Sequence, residues 1–194
     1  LGSQWEREMD ALNVQAPTIL RANSLRTSTK GLIQELKEEN VHCFAVQGFS
    51  HAVQLEEKKN VFLTSIFKEG FFEVQDAGSQ MIGEYVDAQP GMRVIDACAG
   101  AGGKTLHLAA MMENKGQIIA LDIHAWKLTE LKRRAKRAGA HNIETRAITD
   151  NKVIKRLHEK ADRLLIDAPC SGLGVLRRNP DSKWKIDQDF IDRI

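Results

Sequence analysis

Residues 94–105 read V-I-D-A-C-A-G-A-G-G-K-T. Apolar, β-forming residues lead into Asp96, a loop of small residues follows, and a helical pattern begins near Lys104. Glycines let a backbone approach a ligand closely, and a helix N-terminus offers free N–H groups and the positive end of a dipole. The stretch therefore predicts the strand, glycine loop and helix that open a nucleotide-type α/β domain.

Two well-known glycine loops each fail to fit this stretch at one position. A phosphate-binding P-loop requires Gly where this chain has Cys98. The dinucleotide fingerprint G-x-G-x-x-G begins correctly at Gly100 and Gly102 but ends on Thr105. A degenerate version of either loop, in an NTPase or a dehydrogenase, is kept as an alternative, and so is a turn without a ligand.

The composition is that of an ordinary globular protein, with 42% hydrophobic and 28% charged residues. The net charge of +2 does not by itself indicate a nucleic-acid partner. The three cysteines lack the C-x-x-C spacing of zinc sites and do not suit a disulfide scaffold. No apolar run approaches the ~18–20 residues of a membrane span. We therefore expect a cytoplasmic protein with no metal and no membrane partner.

The order of patterns along the chain predicts three segments. They are a polar helical lead-in at 1–15, a small α+β subdomain at 16–70 and a parallel α/β domain at 71–194. Predicted strands of the subdomain are 17–23, 41–46, 52–55 and 61–67, with a helix at 27–40. Residues 71–80 link the two parts, and Ser79 is a candidate N-cap for a helix through Val86. The α/β domain alternates strands at 92–97, 117–122, 143–148 and 163–167 with helices at 104–113, 125–138 and 151–159.

Two aspartates follow predicted strands at the edge where such sheets bind ligands. Asp122 lies about twenty residues beyond the glycine loop, where a carboxylate can accept hydrogen bonds from ribose hydroxyls. The alternative is an N-cap for the helix at 125–138. Asp150 is a candidate for an adenine amino group, or equally for the N-cap of the next helix.

A third strand end carries a thiol beside a carboxylate. Residues 164–172 read L-L-I-D-A-P-C-S-G, so a buried strand is expected to end in Asp167, with Pro169 directing Cys170 into the ligand crevice. This pair suggests covalent chemistry on an electrophile. The alternative is an inert buried cysteine, and the acidic neighbour disfavours a thiolate.

Two basic segments are candidates for RNA contact. R-R-N-P-D-S-K-W at 177–184 combines cations for phosphates with an aromatic ring for base stacking. Residues 125–138 place six lysines and arginines around an apolar stripe of Leu128, Leu131, Ala135 and Ala138. For both segments the alternative is a solvated surface.

These motifs, together with F-x-x-G-x-F-E-V-Q-D-x-x-S at 67–79, resemble the NOL1/NOP2/Sun family of RNA cytosine-5 methyltransferases, and within it the bacterial 16S rRNA enzymes. The resemblance implies a Rossmann-like α/β domain that uses S-adenosylmethionine (SAM), preceded by a small α+β subdomain similar to RNA-recognition domains. It also implies RNA as the partner, with ribosomal RNA favoured and transfer RNA as the alternative. It leaves the oligomeric state open.

The resemblance also implies site residues. The SAM-binding residues would be Cys98, Ala99, Gly100, Ala101, Gly102, Gly103 and Lys104, with Asp122 at the ribose, Asp150 at the adenine and Asp167 between cofactor and cytosine. The catalytic residues would be Cys170, Asp167 and Lys104. The RNA-binding residues would be Arg21, Arg177, Arg178, Lys183 and Trp184.

In this family a cysteine adds to cytosine C6 and makes C5 nucleophilic. That cysteine belongs to a later Thr-Cys motif, and the cysteine matching Cys170 assists enzyme release. No Thr-Cys follows before Ile194. This chain also departs from the family loop C-A-A-P-G-G-K-T, because it has Gly100 and Ala101 where the family has Ala-Pro. We therefore expect a C-terminally truncated piece of a longer enzyme, unable to turn over alone. A non-catalytic RNA-binding or ribosome-assembly protein with a SAM-like fold is the alternative.

Overall fold

The computed structural model describes residues 2–192, apart from the side chains of Leu173 and Lys183. The helices are Trp5–Asn13 (α1), Thr29–Glu38 (α2), Ser65–Lys68 (α3), Ala77–Val86 (α4), Gly103–Met111 (α5), Ala125–Ala138 (α6), Asn151–Lys155 (α7), Ser182–Lys185 (α8) and Gln188–Asp192 (α9). The strands are Ile19–Ala22 (β1), Cys43–Ala45 (β2), Ala52–Leu55 (β3), Phe72–Val74 (β4), Arg93–Asp96 (β5), Gln117–Asp122 (β6), Ile143–Ala147 (β7) and Arg163–Leu165 (β8). Both sheets lie in one compact unit, Thr18–Asp167, and the described residues at 2–17 and 168–192 form a second.

The first sheet is antiparallel, with strand order β2-β3-β1-β4. Its elements follow one another as β-α-β-β-α-β, which is the ferredoxin-like arrangement. Ser28 caps the first turn of helix α2 by accepting a hydrogen bond from Gly31 N. The helix packs on this sheet because Leu32 and Leu36 lie on one of its faces and are fully buried. The predicted small α+β subdomain is confirmed as a fold.

Two predictions around this sheet are wrong. Residues 61–67 are not a strand but a 3₁₀ turn, Val61–Leu63, followed by α3. Asn60 and Thr64 cap these turns by accepting hydrogen bonds from backbone N–H groups, which outweighs the β-propensity of the apolar residues. The fourth strand is β4, inside the segment predicted as a link. Ser79 lies within α4 and accepts a hydrogen bond from Gln75, so it is not the cap.

The second sheet is parallel, with strand order β7-β6-β5-β8, as the alternating pattern predicted. Helices α5 and α6 cover one face, where Leu106 and Leu131 pack with Val94 and Ile118. The segment after β7 covers the other face, where Leu157 packs with residues of β5 and β6. The covering helices therefore change sides between β5 and β8, and ligands of open α/β sheets bind at such a switch point.

Strand β8 is the edge of the parallel sheet, and its burial differs from the prediction. Leu165 is buried, but Leu164 and Ile166 are 57% and 64% exposed. Alternate residues of a strand point to opposite faces, and in the part of the chain that the structure describes one face of β8 has no covering layer. The proposed boundaries at 15/16 and 70/71 stay predictions.

The second unit contains the predicted helical lead-in as α1 and the short helices α8 and α9. The Arg177 side chain donates hydrogen bonds to the carbonyl oxygens of Val14 (3.0 Å) and Gln15 (3.4 Å), which ties the two chain segments of this unit together. Among the helices described in both units, none has the length and apolar character needed to cross a bilayer.

Candidate functional site

The glycine loop after β5 has the geometry of a ligand cradle. Gly102 has φ +89°, and a Cβ built on it would lie 2.6 Å from Leu131 Cγ, so both conformation and packing require glycine there. A Cβ on Gly100 or Gly103 would meet no atom within 4 Å. The loop is thus closed on the side of α6 and open on its other side, at the start of α5, where backbone N–H groups are available.

Asp122 connects the end of β6 to this loop. Its Oδ2 accepts a hydrogen bond from Gly100 N (2.9 Å) and its Oδ1 accepts one from His124 N (2.8 Å). Helix α6 begins after His124, so Asp122 is not the helix N-cap considered as its alternative role. Each carboxylate oxygen can accept a further hydrogen bond, which leaves capacity for a ligand hydroxyl.

An ion pair lies at the switch point of the sheet. Lys104 Nζ is 2.6 Å from Asp167 Oδ2, and the two side chains are 16% and 44% exposed. Lys104 follows β5 and Asp167 follows β8, the neighbouring strands between which the helices change sides. The structure therefore brings together two of the three predicted catalytic residues beside the glycine loop.

Asp96 is a candidate site residue that sequence reasoning did not assign. It is 1% exposed, Thr105 Oγ1 donates to its Oδ2 (2.7 Å), and its Oδ1 has no hydrogen-bond partner among the described residues. Burial raises the pKa of Asp96 to about 6. The hydrogen bond from Thr105 favours the ionised form and so lowers this pKa, but its effect is smaller than that of burial. The sequence does contain a signal that could have identified Asp96, namely a carboxylate that ends an apolar strand just before a glycine loop.

The environment of Cys98 disfavours its thiolate form. Its partial burial raises the pKa of the thiol, and the carboxylates of Asp96, Asp122 and Asp167 raise it further. A thiol held protonated in this way reacts poorly. Its place in the loop agrees with a role in shaping the cradle.

Asp150 is the N-cap of α7. Its Oδ1 accepts hydrogen bonds from Lys152 N (2.7 Å) and Val153 N (3.3 Å). The capping alternative is therefore observed, and an additional contact with adenine stays a prediction. Its side chain is exposed, so capping and ligand contact are compatible.

The placement of Arg21 corrects its predicted role in RNA binding. The residue is 2% exposed, and its Nη1 donates to the carbonyl oxygen of Gly103 (2.8 Å) and to the Gln75 side chain. A guanidinium enclosed in this way has no surface for a phosphate. The basic helix α6 is likewise less free than its sequence indicates, because Arg134 and Arg137 both pair with Glu73.

The remaining candidates belong to the second unit. Cys170 is exposed, which contradicts the alternative of an inert buried cysteine. Trp184 is 88% exposed and Arg178 is also at the surface. The Arg177 guanidinium holds the backbone of residues 14 and 15. The backbone of Lys183 lies in α8, and its side chain is outside the described part of the structure.

Sequence comparison identifies relatives of both parts of the chain. Residues 84–194 match the family described as 16S rRNA methyltransferase RsmB/F, and residues 1–62 match its ferredoxin-like domain. The probable ribosomal RNA small subunit methyltransferase B of Synechocystis is 38% identical over 175 residues, which are 88% of this chain and 39% of that relative. The chain thus spans about two fifths of the length of this curated relative.

Solved structures agree with this assignment. PH0851 superposes with a TM-score of 0.91 at 31% identity, over 100% of this chain and 44% of the other. A methyltransferase homologue from Pyrococcus horikoshii gives a TM-score of 0.81 at 30% identity, over 91% of this chain and 58% of the other. The Rossmann-like methyltransferase fold predicted from the motifs is confirmed, and SAM is the cofactor of this family. The chain belongs to the RsmB/F family of 16S rRNA methyltransferases.

Proposed function

We propose that the protein containing this chain methylates C5 of a cytosine in ribosomal RNA with SAM as the methyl donor. The observation that carries the proposal is the Lys104–Asp167 ion pair, which lies at the sheet's switch point beside an open glycine loop. The family match and the rRNA methyltransferases among its relatives support ribosomal RNA as the substrate and the cytoplasm as the location.

The residues around the loop fit SAM. The open side at Gly100 and Gly103 leaves room for a ligand against the backbone, and Asp122 would accept hydrogen bonds from the ribose. Residues 98–104 would enclose the methionine part, and Asp150 would contact the adenine. Asp96 Oδ1 is a buried acceptor without a partner among the described residues, and it suits a donor group of the ligand. SAM, when bound, supplies an electrophilic methyl group.

The proposed chemistry proceeds through a covalent adduct. A cysteine thiolate would add to cytosine C6, and the electron pair of the C5–C6 bond would move to C5. C5 would then bond to the methyl group while the methyl–sulfur bond of the donor breaks and its electron pair stays on sulfur. A base then removes the C5 proton, the C6–S bond breaks and the thiolate leaves. The sequence 1–194 contains no Thr-Cys motif, so we assign the attacking thiolate to a residue outside it.

Three residues of this chain have proposed roles in that reaction. Asp167, oriented by Lys104, would accept a hydrogen bond from the exocyclic amino group and so fix the cytosine ring. Cys170 would assist the breakdown of the adduct. Arg177, Arg178, Lys183 and Trp184 would contact the RNA through phosphates and stacking.

Bisulfite sequencing of 16S rRNA tests the proposal, because cytosine methylated at C5 resists conversion. We expect a resistant cytosine to disappear when the gene is deleted and to return with the wild-type gene. It should return equally with Glu144→Gln, a surface change on β7, but not with Asp167→Asn.

Restoration by Asp167→Asn would contradict the assigned role of that residue. A deletion that alters ribosome assembly but no methylated cytosine would favour the non-catalytic alternative. Loss of a resistant cytosine from transfer RNA alone would contradict the ribosomal substrate.

A further inference from the structure

The motif F-x-x-G-x-F-E-V-Q-D-x-x-S has no part in the proposed chemistry, yet the structure uses its side chains between the first sheet and the glycine loop. Its central carboxylate, Glu73 on β4, is 3% exposed. It accepts a hydrogen bond from Arg134 Nη2 at 2.8 Å and another from Arg137 Nη2. Both arginines belong to α6, so the motif pairs a strand of the first sheet with a helix of the second.

Arg134 extends this pairing to the cofactor loop. While Nη2 bonds to Glu73, Nη1 donates to the carbonyl oxygen of Ala101 at 2.8 Å. A planar guanidinium held at two points in this way has a fixed orientation. The position of Glu73 therefore determines where the donor for the Ala101 carbonyl lies.

A second arginine reaches the loop from the first sheet directly. Arg21 on β1 donates to the carbonyl oxygen of Gly103 at 2.8 Å, and its Nη1 also bonds to Gln75 of the motif. Burial lowers the pKa of Arg21 to about 10, while the Glu73 carboxylate acts in the opposite direction, so the guanidinium stays charged at neutral pH. Two carbonyls of the loop are thus held by arginines that depend on the first sheet.

Other residues of the motif hold α6 against the first sheet. The Arg137 guanidinium lies 4.0 Å from the centroid of the Phe67 ring. A Cβ on Gly70 would lie 2.1 Å from the Arg137 carbonyl oxygen, so glycine permits close approach of the two backbones. Asn23 Nδ2 donates to the carbonyl oxygens of Gly70 and Ala138, both at 2.8 Å. These contacts hold α6 and the first sheet together without touching the loop.

The hydrogen bonds from Arg21 and Arg134 matter because the loop that they contact is rich in glycine. Glycines have the largest backbone freedom to lose, and a loop that is ordered before binding loses less of it when a ligand arrives. Two charged donors on successive parts of the loop restrict that freedom in the unliganded protein.

We propose that Arg21, Glu73 and Arg134 are positioning residues of the cofactor site. Through them the ferredoxin-like sheet fixes the conformation of residues 99–103, and thereby the affinity for SAM. The second half of this statement rests on the proposed function, whereas the first half concerns the unliganded loop and can be measured without SAM.

A matched pair of variants on one helix tests the proposal. Arg134→Met and Arg137→Met each remove one guanidinium from Glu73, but only Arg134 also contacts the loop. We expect similar falls in melting temperature. Amide hydrogen exchange in residues 98–105 of the unliganded chain should accelerate by about tenfold or more in Arg134→Met and stay near wild type in Arg137→Met.

SAM titration of the same variants provides the second readout. Arg134→Met should raise the dissociation constant by about tenfold, with Arg137→Met within about twofold of wild type. Equal effects of the two variants on both readouts would overturn the proposal, since they would reflect stability alone. If the wild-type chain binds no SAM but the exchange difference is present, the proposed function fails for this chain while the positioning role stands.

Discussion

The ammonium of Lys104 and the carboxylate of Asp167 join two strands that carry helices on opposite faces of the sheet, at an Nζ–Oδ2 distance of 2.6 Å. Neither side chain is fully buried, so the pair contributes little to stability. Its place at the switch point supports our proposal that it serves chemistry instead.

Replacing Lys104 should therefore separate stability from activity. We expect Lys104→Met to change the free energy of unfolding by less than about 1 kcal/mol and to reduce methyl transfer by the whole protein by about a hundredfold or more. Lys115→Met, which removes an exposed ion pair with Glu113, is the control and should leave both unchanged. Urea unfolding and a methyl-transfer assay provide the two measurements; full activity of Lys104→Met would remove the pair from the mechanism.

The buried carboxylate of Asp96 predicts a pH dependence of stability. Its folded pKa of about 6 lies above the ordinary aspartate value of 3.8, so its favourable contribution is complete below pH 3.8 and is lost as the pH rises through about 6. The loss is at most about 3 kcal/mol, since one pKa unit corresponds to about 1.4 kcal/mol. Asp96→Asn keeps an acceptor for Thr105 without the charge and should be more stable than wild type at pH 7.

Urea unfolding of both proteins between pH 4 and pH 8 measures this difference. The stability of wild type relative to Asp96→Asn should fall across the interval from about pH 4 to pH 6. A difference that is constant with pH would mean that Asp96 titrates normally. If its free Oδ1 serves the ligand, the more stable variant should also bind SAM more weakly.

Gly83 and Gly78 of α4 give a matched test of the packing behind the loop. A Cβ on Gly83 would lie 2.3 Å from Nδ1 of His107, a 1% exposed side chain whose pKa burial lowers to about 2. Gly83→Ala should destabilise the protein by about 1–3 kcal/mol. A Cβ on Gly78 would lie 3.6 Å from its nearest neighbour, Oδ2 of Asp76, so Gly78→Ala should stabilise the protein by up to about 1 kcal/mol. Equal thermal unfolding of the two variants would show that α4 and α5 are not tightly packed.

Trp184 tests the proposed contact with RNA. Its ring is 88% exposed, and base stacking on an aromatic side chain contributes about 1–3 kcal/mol. Trp184→Ala should weaken binding of a single-stranded rRNA fragment by about tenfold. Trp5→Ala, which removes another exposed tryptophan of the same unit, is the control. Indistinguishable affinities in an electrophoretic shift titration would leave Trp184 without a role.

Where the apolar pattern is long and regular, the sequence predicted the structure closely. Strand β6 and helix α6 have the bounds expected from their patterns, because each buries one continuous apolar set. The glycine loop and the aspartates at the strand ends were predictable for the same reason, since strand ends in a parallel sheet share one edge. The segment 61–67 was mispredicted because local caps at Asn60 and Thr64 outweigh the propensity of its apolar residues.

The placement of Arg21 could not be read from its own neighbourhood. An arginine in a short strand looks exposed, and what buries it here are Gln75 and Gly103, which are distant in the sequence. The sequence likewise predicts a solvated basic face that includes Arg134 and Arg137, whereas in the structure both side chains pair with Glu73. Long-range charge pairing has no periodic signal, so only the folded chain reveals it.

The most direct test of the central claim is a calorimetric titration of this chain with SAM and with its demethylated product, alongside Asp122→Ala and the surface control Glu144→Gln. We predict saturable binding of both ligands to wild type and to Glu144→Gln, and affinity at least about tenfold weaker in Asp122→Ala, which removes the proposed ribose acceptor and the tether to Gly100. A folded wild-type chain that binds neither ligand, or an Asp122→Ala variant that binds as tightly as wild type, would contradict the account.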